Sequence, residues 1–237
     1  MTARIPEQVA GAIDYTDARK DVTYADIEWI SLEAVEHRLG AVVVPSALVR
    51  RAAACLASAD VGLSCYVGYP FGTQAAGVKA REAEVAVEHG ATELDVVLHH
   101  GIARAARWSE VEAELATVKD AAGPALLKLV VEASILSDDE LLTIARAAAD
   151  AGYAMIANTA GFRIVSTQPG TQSEATPSLI GRLVDLGGGR IQTKACGGVR
   201  TRVDIDGLLV AGAARVRLDA EPGLLRYLAE DAREEKR

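Results

Sequence analysis

The chain has 237 residues, half of them apolar, enough to bury one large core. Its formal charge of -8 and pI near 5.1 argue against nucleic acid as a partner, because phosphate binding is built from clustered lysine and arginine. No apolar run approaches the ~20 residues that a membrane crossing needs, and no charged-then-apolar leader opens the sequence, so a cytoplasmic protein without membrane contact is expected.

Eight short apolar runs alternate with longer segments of helical period, the sequence form of repeated βα units. In chain order they are GAIDY (11–15), GAVVVP (40–45), GLSCYVGYP (62–70), TELDVVL (92–98), LLKLVVEA (126–133), YAMIANTAG (153–161), RIQTKACGG (190–198) and AARVRLDA (213–220). Between them, SEVEAELATVKDAAG and SDDELLTIARAAADAG each open with serine and acidic residues and close at glycine, the expected polarity of helix caps. This alternation predicts an α/β fold, a single (β/α)8 TIM barrel over residues 1–237, with a doubly wound open sheet as the alternative. No Gly/Ser- or Pro-rich linker marks a second domain. The longest irregular piece, residues 163–177, follows the sixth run, and the charged tail 229–237 reads as the solvated end of a last helix. Cys55, Cys65 and Cys196 have no ligand spacing and read as reduced thiols.

Charged residues inside apolar strands carry the chemical information, and four stand out: Asp14, Asp95, Lys128 and Lys194. Fully buried lysine and aspartate are rare unless paired, so two inward lysines imply inward carboxylates, with Asp14 and Asp95 as candidates. Such a set either fills the barrel as an ion-pair network or performs chemistry at the C-terminal strand ends. For chemistry, a lysine near a second ammonium in an apolar pocket is expected to lose its charge, and the neutral amine can attack a carbonyl or move a proton. The Gly-Gly turn of CGGVRT, with Gly197, Gly198 and Arg200, can cradle an anion. His99 and His100 follow the fourth strand and read as solvent-facing, while His37 and His89 end helices. Adjacent histidines supply no metal-ligand spacing, so no metal and no cofactor are expected.

From about Ala12 to Leu218 the sequence resembles the deoxyribose-phosphate aldolase family, a class I aldolase barrel. AIDYT resembles the family's I-D-H-T, and YVGYPFG its V-x-G-F-P-x-G. VKAREAEVAVEHGATELDVVL, LLKLVVEASILSDDEL and TKACGGVRT resemble three further family motifs in the right order. The resemblance implies that Asp95 and Lys194 move protons and that Lys128 is the family's strand-five lysine. It also implies that the sixth-strand lysine, which forms a Schiff base with substrate in the family, is replaced here by Ala157 within MIANTAGF. Val44 stands for an asparagine on the second strand, the last ten residues hold no aromatic, so no terminal tyrosine is expected to assist proton transfer, and VRLDAE replaces the G-A-S-S-G that binds substrate phosphate in the family.

These departures lead to the expectation of a lyase of altered chemistry, with standard deoxyribose-5-phosphate cleavage set aside. It would act on a small, non-phosphorylated carbonyl compound by aldol-type, enolisation or cyclisation chemistry. Catalysis would fall to Asp95, Lys194 and Lys128. Substrate binding would fall to Asp14, Asn158, Thr159, Gly197, Gly198, Arg200, Arg217 and Asp219. The alternative is a catalytically silent homologue that binds a metabolite or partner protein. Self-association into a homo-oligomer is compatible with either.

Overall fold

The computed structural model describes residues 5–161 and 174–234. Most of the irregular segment 163–177 and the last three residues of the charged tail therefore lie outside the described residues. The chain order is α1 (Glu7–Ala10), β1 (Ile13–Thr16), α2 (Tyr24–His37), β2 (Ala41–Val44), α3 (Val49–Leu56), β3 (Gly62–Val67), α4 (Ala76–Glu88) and β4 (Glu93–Val97). It continues with α5 (His100–Arg104), α6 (Trp108–Ala122), β5 (Leu126–Val130), α7 (Asp138–Asp150), β6 (Met155–Ala157), α8 (Pro177–Gly187), β7 (Gln192–Ala195), α9 (Arg202–Val210), β8 (Ala213–Asp219) and α10 (Leu224–Glu234). Seven strands lie within their apolar runs, and β1 extends one residue past its run, to Thr16. The short helices α1 and α5 are additions to the expected alternation.

The strands are all parallel and close in sequence order. Closure is made by β1 against β8, with Ile13 opposite Val216 and Thr16 opposite Asp219, which excludes the doubly wound sheet. Parallel strands buried on both faces read as continuous apolar runs, which is why these were visible in the sequence. On the outer face Val42, Leu94, Val96 and Leu129 join helix residues such as Ile27, Leu115 and Ile144 in one large core. The inner face is different: charged side chains fill part of it, and a small separate apolar cluster of Val97, Val130, Ala157, Ala160 and Cys196 fills another part.

Helix starts follow the anticipated cap chemistry in part. Ser137 and Glu140 form a capping box at α7, as do Thr23 with Asp26 at α2 and Thr201 with Asp204 at α9. The serine expected to cap α6 does not: the helix already begins at Trp108, and Ser109 lies inside its first turn.

Two polar links, the first buried and the second half-buried, fix the loops at the C-terminal ends of the strands. Lys79 on α4 donates to the Val97 carbonyl at 2.7 Å and to Glu114 Oε1 on α6 at 2.8 Å, all buried outside the barrel. Glu82, one turn further along α4, accepts from the Gly68 backbone N–H at 2.8 Å and from the Ser46 hydroxyl at 2.9 Å. Removing one partner of a buried pair strands the other charge. Lys79→Met is therefore expected to cost about 3 to 5 kcal/mol in urea unfolding, and adding Glu114→Leu to that variant should recover most of the loss.

Candidate active site

The strand alternation that sends apolar residues outward sends Asp14 of β1, Glu93 and Asp95 of β4, Lys128 of β5, Lys194 of β7 and Arg215 of β8 into the barrel. Lys194 Nζ lies 2.7 Å from Asp14 Oδ2 and 2.5 Å from Asp95 Oδ2. Lys128 Nζ lies 2.8 Å from Asp14 Oδ2, 2.5 Å from Glu93 Oε2 and 3.3 Å from Asp95 Oδ1. Arg215 reaches Asp14 Oδ1 at 2.8 Å and Glu93 Oε1 at 3.4 Å, and the Ser64 hydroxyl donates to Asp95 Oδ1 at 3.1 Å. Three carboxylates thus face three cations, and the formal charge of the cluster is zero.

Burial alone would drive these groups neutral, but their mutual attraction outweighs it. Asp14 and Asp95 are raised by burial yet held well below the usual carboxylate range by Lys128 and Lys194. Lys194 is opposed by burial yet held above the ordinary lysine value by Asp14 and Asp95, and Lys128 behaves the same way. The expectation of a neutral amine is therefore corrected: each lysine does face a second ammonium, but the shared carboxylates lie closer and keep both charged. The network reading and the catalytic reading describe the same residues.

Lys194 is the cluster member in strand register with Ala157. In the strand register Ala157 pairs with both Val130 and Lys194, while Lys128 pairs with Met155, one inward step deeper. Ala157 is fully buried within the small apolar cluster.

Other sequence candidates gather above this layer, at the C-terminal strand ends. The Asn158 side chain bridges to β7, accepting from Cys196 N at 2.7 Å and donating to Cys196 O at 3.0 Å. Thr159 donates to Glu132 Oε2 at 2.8 Å, and Ala160 N–H donates to Glu132 Oε1 at 2.9 Å. Arg217 is buried and donates from Nη1 to the Ala160 carbonyl at 2.9 Å, so Glu132 and Arg217 grip the two ends of the β6 exit. Gly161, at φ +78°, permits this approach, since a Cβ there would collide with the Arg217 guanidinium. Gly197 and Gly198 both have positive φ, a pair of conformations that side chains resist. Arg200 and Asp219 are exposed at the rim, Arg200 beside Glu221 at 3.9 Å and Asp219 Oδ1 3.5 Å from Arg217 Nε.

Glu93, Arg215, Glu132 and the Lys79–Glu114 pair were missed in the sequence. Period-2 spacing carried a signal for two of them: Glu93 sits two residues before Asp95, and Arg215 two before Arg217, on the same strand faces. The two histidines after β4 also differ from expectation. His99 caps α5, its Nδ1 accepting from Ile102 N at 3.3 Å, and His100 Nε2 accepts from Glu132 N at 3.1 Å. Both are half-buried. Among the described residues no group of three or more His, Cys, Asp or Glu is arranged to hold a metal ion, and no helix is long and apolar enough to cross a membrane.

The chain is similar to the deoxyribose-phosphate aldolase 1 of Cutibacterium acnes, 35% identical across 92% of this chain and 96% of that protein. The deoxyribose-phosphate aldolases of Mycolicibacterium paratuberculosis and Deinococcus radiodurans are 36% and 33% identical, over 92% of this chain and 96% and 95% of theirs. Among solved structures, the tetrameric deoxyribose phosphate aldolase of Aeropyrum pernix superposes with a TM-score of 0.84 at 25% identity, over 97% of this chain and 93% of that one. No family model matches the chain. Fold, interior amine and relatives define an aldolase-type (β/α)8 lyase. The chain belongs to the deoxyribose-phosphate aldolase family.

These relatives overturn the expectation of altered chemistry on a non-phosphorylated compound. Relatives 31–36% identical over nearly the full chain are named for the standard reaction. The departures at Ala157 and Asp219 are two positions in a barrel that otherwise follows these relatives over nearly its whole length. Standard deoxyribose-5-phosphate cleavage is accordingly no longer set aside.

His100 supplies a stability probe for this end of the barrel. Burial, with the nearby charge of Lys79 and with His99, pushes its pKa down from 6.5 to about 4. Between those values the unfolded chain binds a proton that the folded chain refuses, so stability is lost as pH falls through this window. The loss should reach about 2 to 3 kcal/mol. It is expected to disappear in His100→Gln, which keeps an acceptor for Glu132 N–H, when urea melts are compared at pH 7 and pH 4.5.

Proposed function

We propose that this chain cleaves 2-deoxyribose 5-phosphate reversibly to acetaldehyde and glyceraldehyde 3-phosphate, with Lys194 as the amine that carries the substrate. The observation that supports this most strongly is an elimination. The chain contains six lysines, at 20, 79, 119, 128, 194 and 236, and β6 contributes none. Among the described residues only Lys128 and Lys194 point into the barrel, and Lys194 is the one in register with Ala157.

The two carboxylates at Lys194 make the chemistry feasible despite its raised pKa. A proton passes from Nζ to Asp95 at 2.5 Å, leaving a neutral amine beside a neutral acid. The amine attacks the C1 aldehyde, and Asp95 returns the proton to the departing oxygen, so water leaves and an iminium remains. A carboxylate, Asp95 or Asp14, then takes the proton of the C3 hydroxyl. The C2–C3 bond breaks, its electrons flow to the nitrogen as an enamine, and glyceraldehyde 3-phosphate departs. The same acid protonates C2, and hydrolysis releases acetaldehyde and restores the ammonium.

At each stage the interior stays neutral, because the iminium carries the charge of the ammonium it replaces. Low-dielectric surroundings would penalise any path that left a net charge inside. Lys128, deeper and bound to three carboxylates, holds their charge in place and does not touch substrate in this scheme.

The test is release of acetaldehyde from 2-deoxyribose 5-phosphate. Wild-type protein should be active, with a rate that climbs as pH rises, since Asp14 and Asp95 hold the amine protonated. Lys194→Arg keeps the positive charge and removes the nucleophile, and should lower kcat at least ~1,000-fold, while Asp95→Asn should cost ~100- to 10,000-fold. A wild-type protein that releases no acetaldehyde would overturn the reading. Near-normal turnover by Lys194→Arg would remove Lys194 as the amine.

A further inference from the structure

Tyr66 of β3 is buried and takes no part in the steps above. Its chain neighbours Cys65 and Val67 belong to the outer core, so Tyr66 faces the interior, as does Ser64, whose hydroxyl touches Asp95. Its own hydroxyl reaches over β2 to lie 3.0 Å from Thr16 Oγ1 on β1, and Thr16 donates to the Val43 carbonyl at 2.8 Å. The ring stacks on Tyr69, with centroids 4.4 Å apart, and Tyr69 packs against the small cluster that contains Ala157. A phenylalanine would stack as well without burying a hydroxyl that needs a partner. The motif that YVGYPFG resembles has valine at the first of these positions and phenylalanine at the second, so neither hydroxyl belongs to it.

Position says what the phenol can reach. Lys194 Nζ sits between Asp14 of β1 and Asp95 of β4. Thr16 stands one inward step above Asp14, and Tyr66 pairs with Asp95 in the β3–β4 register. The Tyr66–Thr16 contact therefore spans the interior on the side of these carboxylates that faces the C-terminal strand ends. Two strand residues cover roughly 7 Å, about the path from an imine nitrogen to the C3 oxygen of a sugar plus one hydrogen bond. Each hydroxyl carries one proton. While Thr16 donates to Val43, Tyr66 donates to Thr16; when the phenol turns its proton to an oxygen in the barrel, Thr16 turns and donates to the phenol instead.

We infer that Tyr66 is a further catalytic residue, whose phenol donates a hydrogen bond to the C3 oxygen of the substrate as the C2–C3 bond breaks. This rests on the proposed function and adds a group to its bond-breaking step. The C3 hydroxyl proton goes to the carboxylate, the C2–C3 electrons go to the nitrogen, and the phenol keeps its own proton. Burial helps it do so by holding the phenol above its ordinary pKa. The contact strengthens as charge develops on the C3 oxygen, which is what makes it catalytic and not merely a binding contact.

The experiment compares two reactions in Tyr66→Phe. Cleavage of 2-deoxyribose 5-phosphate involves the C3 oxygen. Exchange of the methyl protons of acetaldehyde in D2O, followed by NMR, passes through the same imine and enamine but has no C3 oxygen. The variant should lose about 10- to 100-fold in kcat for cleavage, with KM and the exchange rate within about twofold of wild type. If that variant does not fold, as judged by circular dichroism, Thr16→Val takes its place; the loosened phenol should slow cleavage about three- to tenfold and leave exchange unchanged. Unchanged cleavage would overturn the inference. Equal losses in cleavage and exchange would also overturn it, by placing Tyr66 at the amine or in the packing alone. Wild-type protein that releases no acetaldehyde would overturn the proposed function and this inference with it, a failure told apart from the others because it needs no variant.

Discussion

One ammonium held between two carboxylates organises this barrel. Lys194 joins β7 to β1 through Asp14 and to β4 through Asp95, contacts that span the barrel interior. Each of these charges would be prohibitive alone in such an interior. They persist because Lys128, Glu93 and Arg215 complete a set of three positive and three negative groups. The constraint is therefore neutrality of the whole, not the strength of any pair, and a buried pair is in general weak evidence for stability.

That constraint divides the interior into two levels. The deeper level is ionic and fully committed, with Lys128 touching three carboxylates. The level above it is mostly apolar around Ala157, and its polar members sit at the exit of β6, where Glu132 and Arg217 hold the Ala160 peptide between them. Lys194 lies at the boundary, charged like the level below and in register with the small residue of the level above. An amine placed there can exchange a proton with its carboxylates and meet a carbonyl without altering the charge balance beneath.

Much of this was legible in the sequence, for physical reasons that also explain the rest. Parallel strands covered on both faces produce uninterrupted apolar runs, so all eight strands and their order could be read, and a charged residue such as Asp95 within such a run announced itself. What could not be read was protonation. Asp14, Asp95, Lys128 and Lys194 were visible, but Glu93 and Arg215 lie toward strand starts among ordinary-looking charged residues, so the balance of carboxylates to amines was undercounted. The Lys79–Glu114 pair depends on two helices meeting 35 residues apart in sequence. His100 was read as solvent-facing because spacing along the chain does not show that the Glu132 backbone turns to meet it. Ala157 and Asp219 are conspicuous in the sequence, yet they are two positions in an otherwise continuous likeness to the family.

The most direct measurement is borohydride reduction of the wild-type protein in the presence of acetaldehyde, followed by mass spectrometry of its peptides. The expected result is an ethyl group on Lys194, absent when borohydride is omitted. A protein that stays unmodified in the barrel, or one modified at Lys128 with Lys194 untouched, would contradict the assignment of the reactive amine.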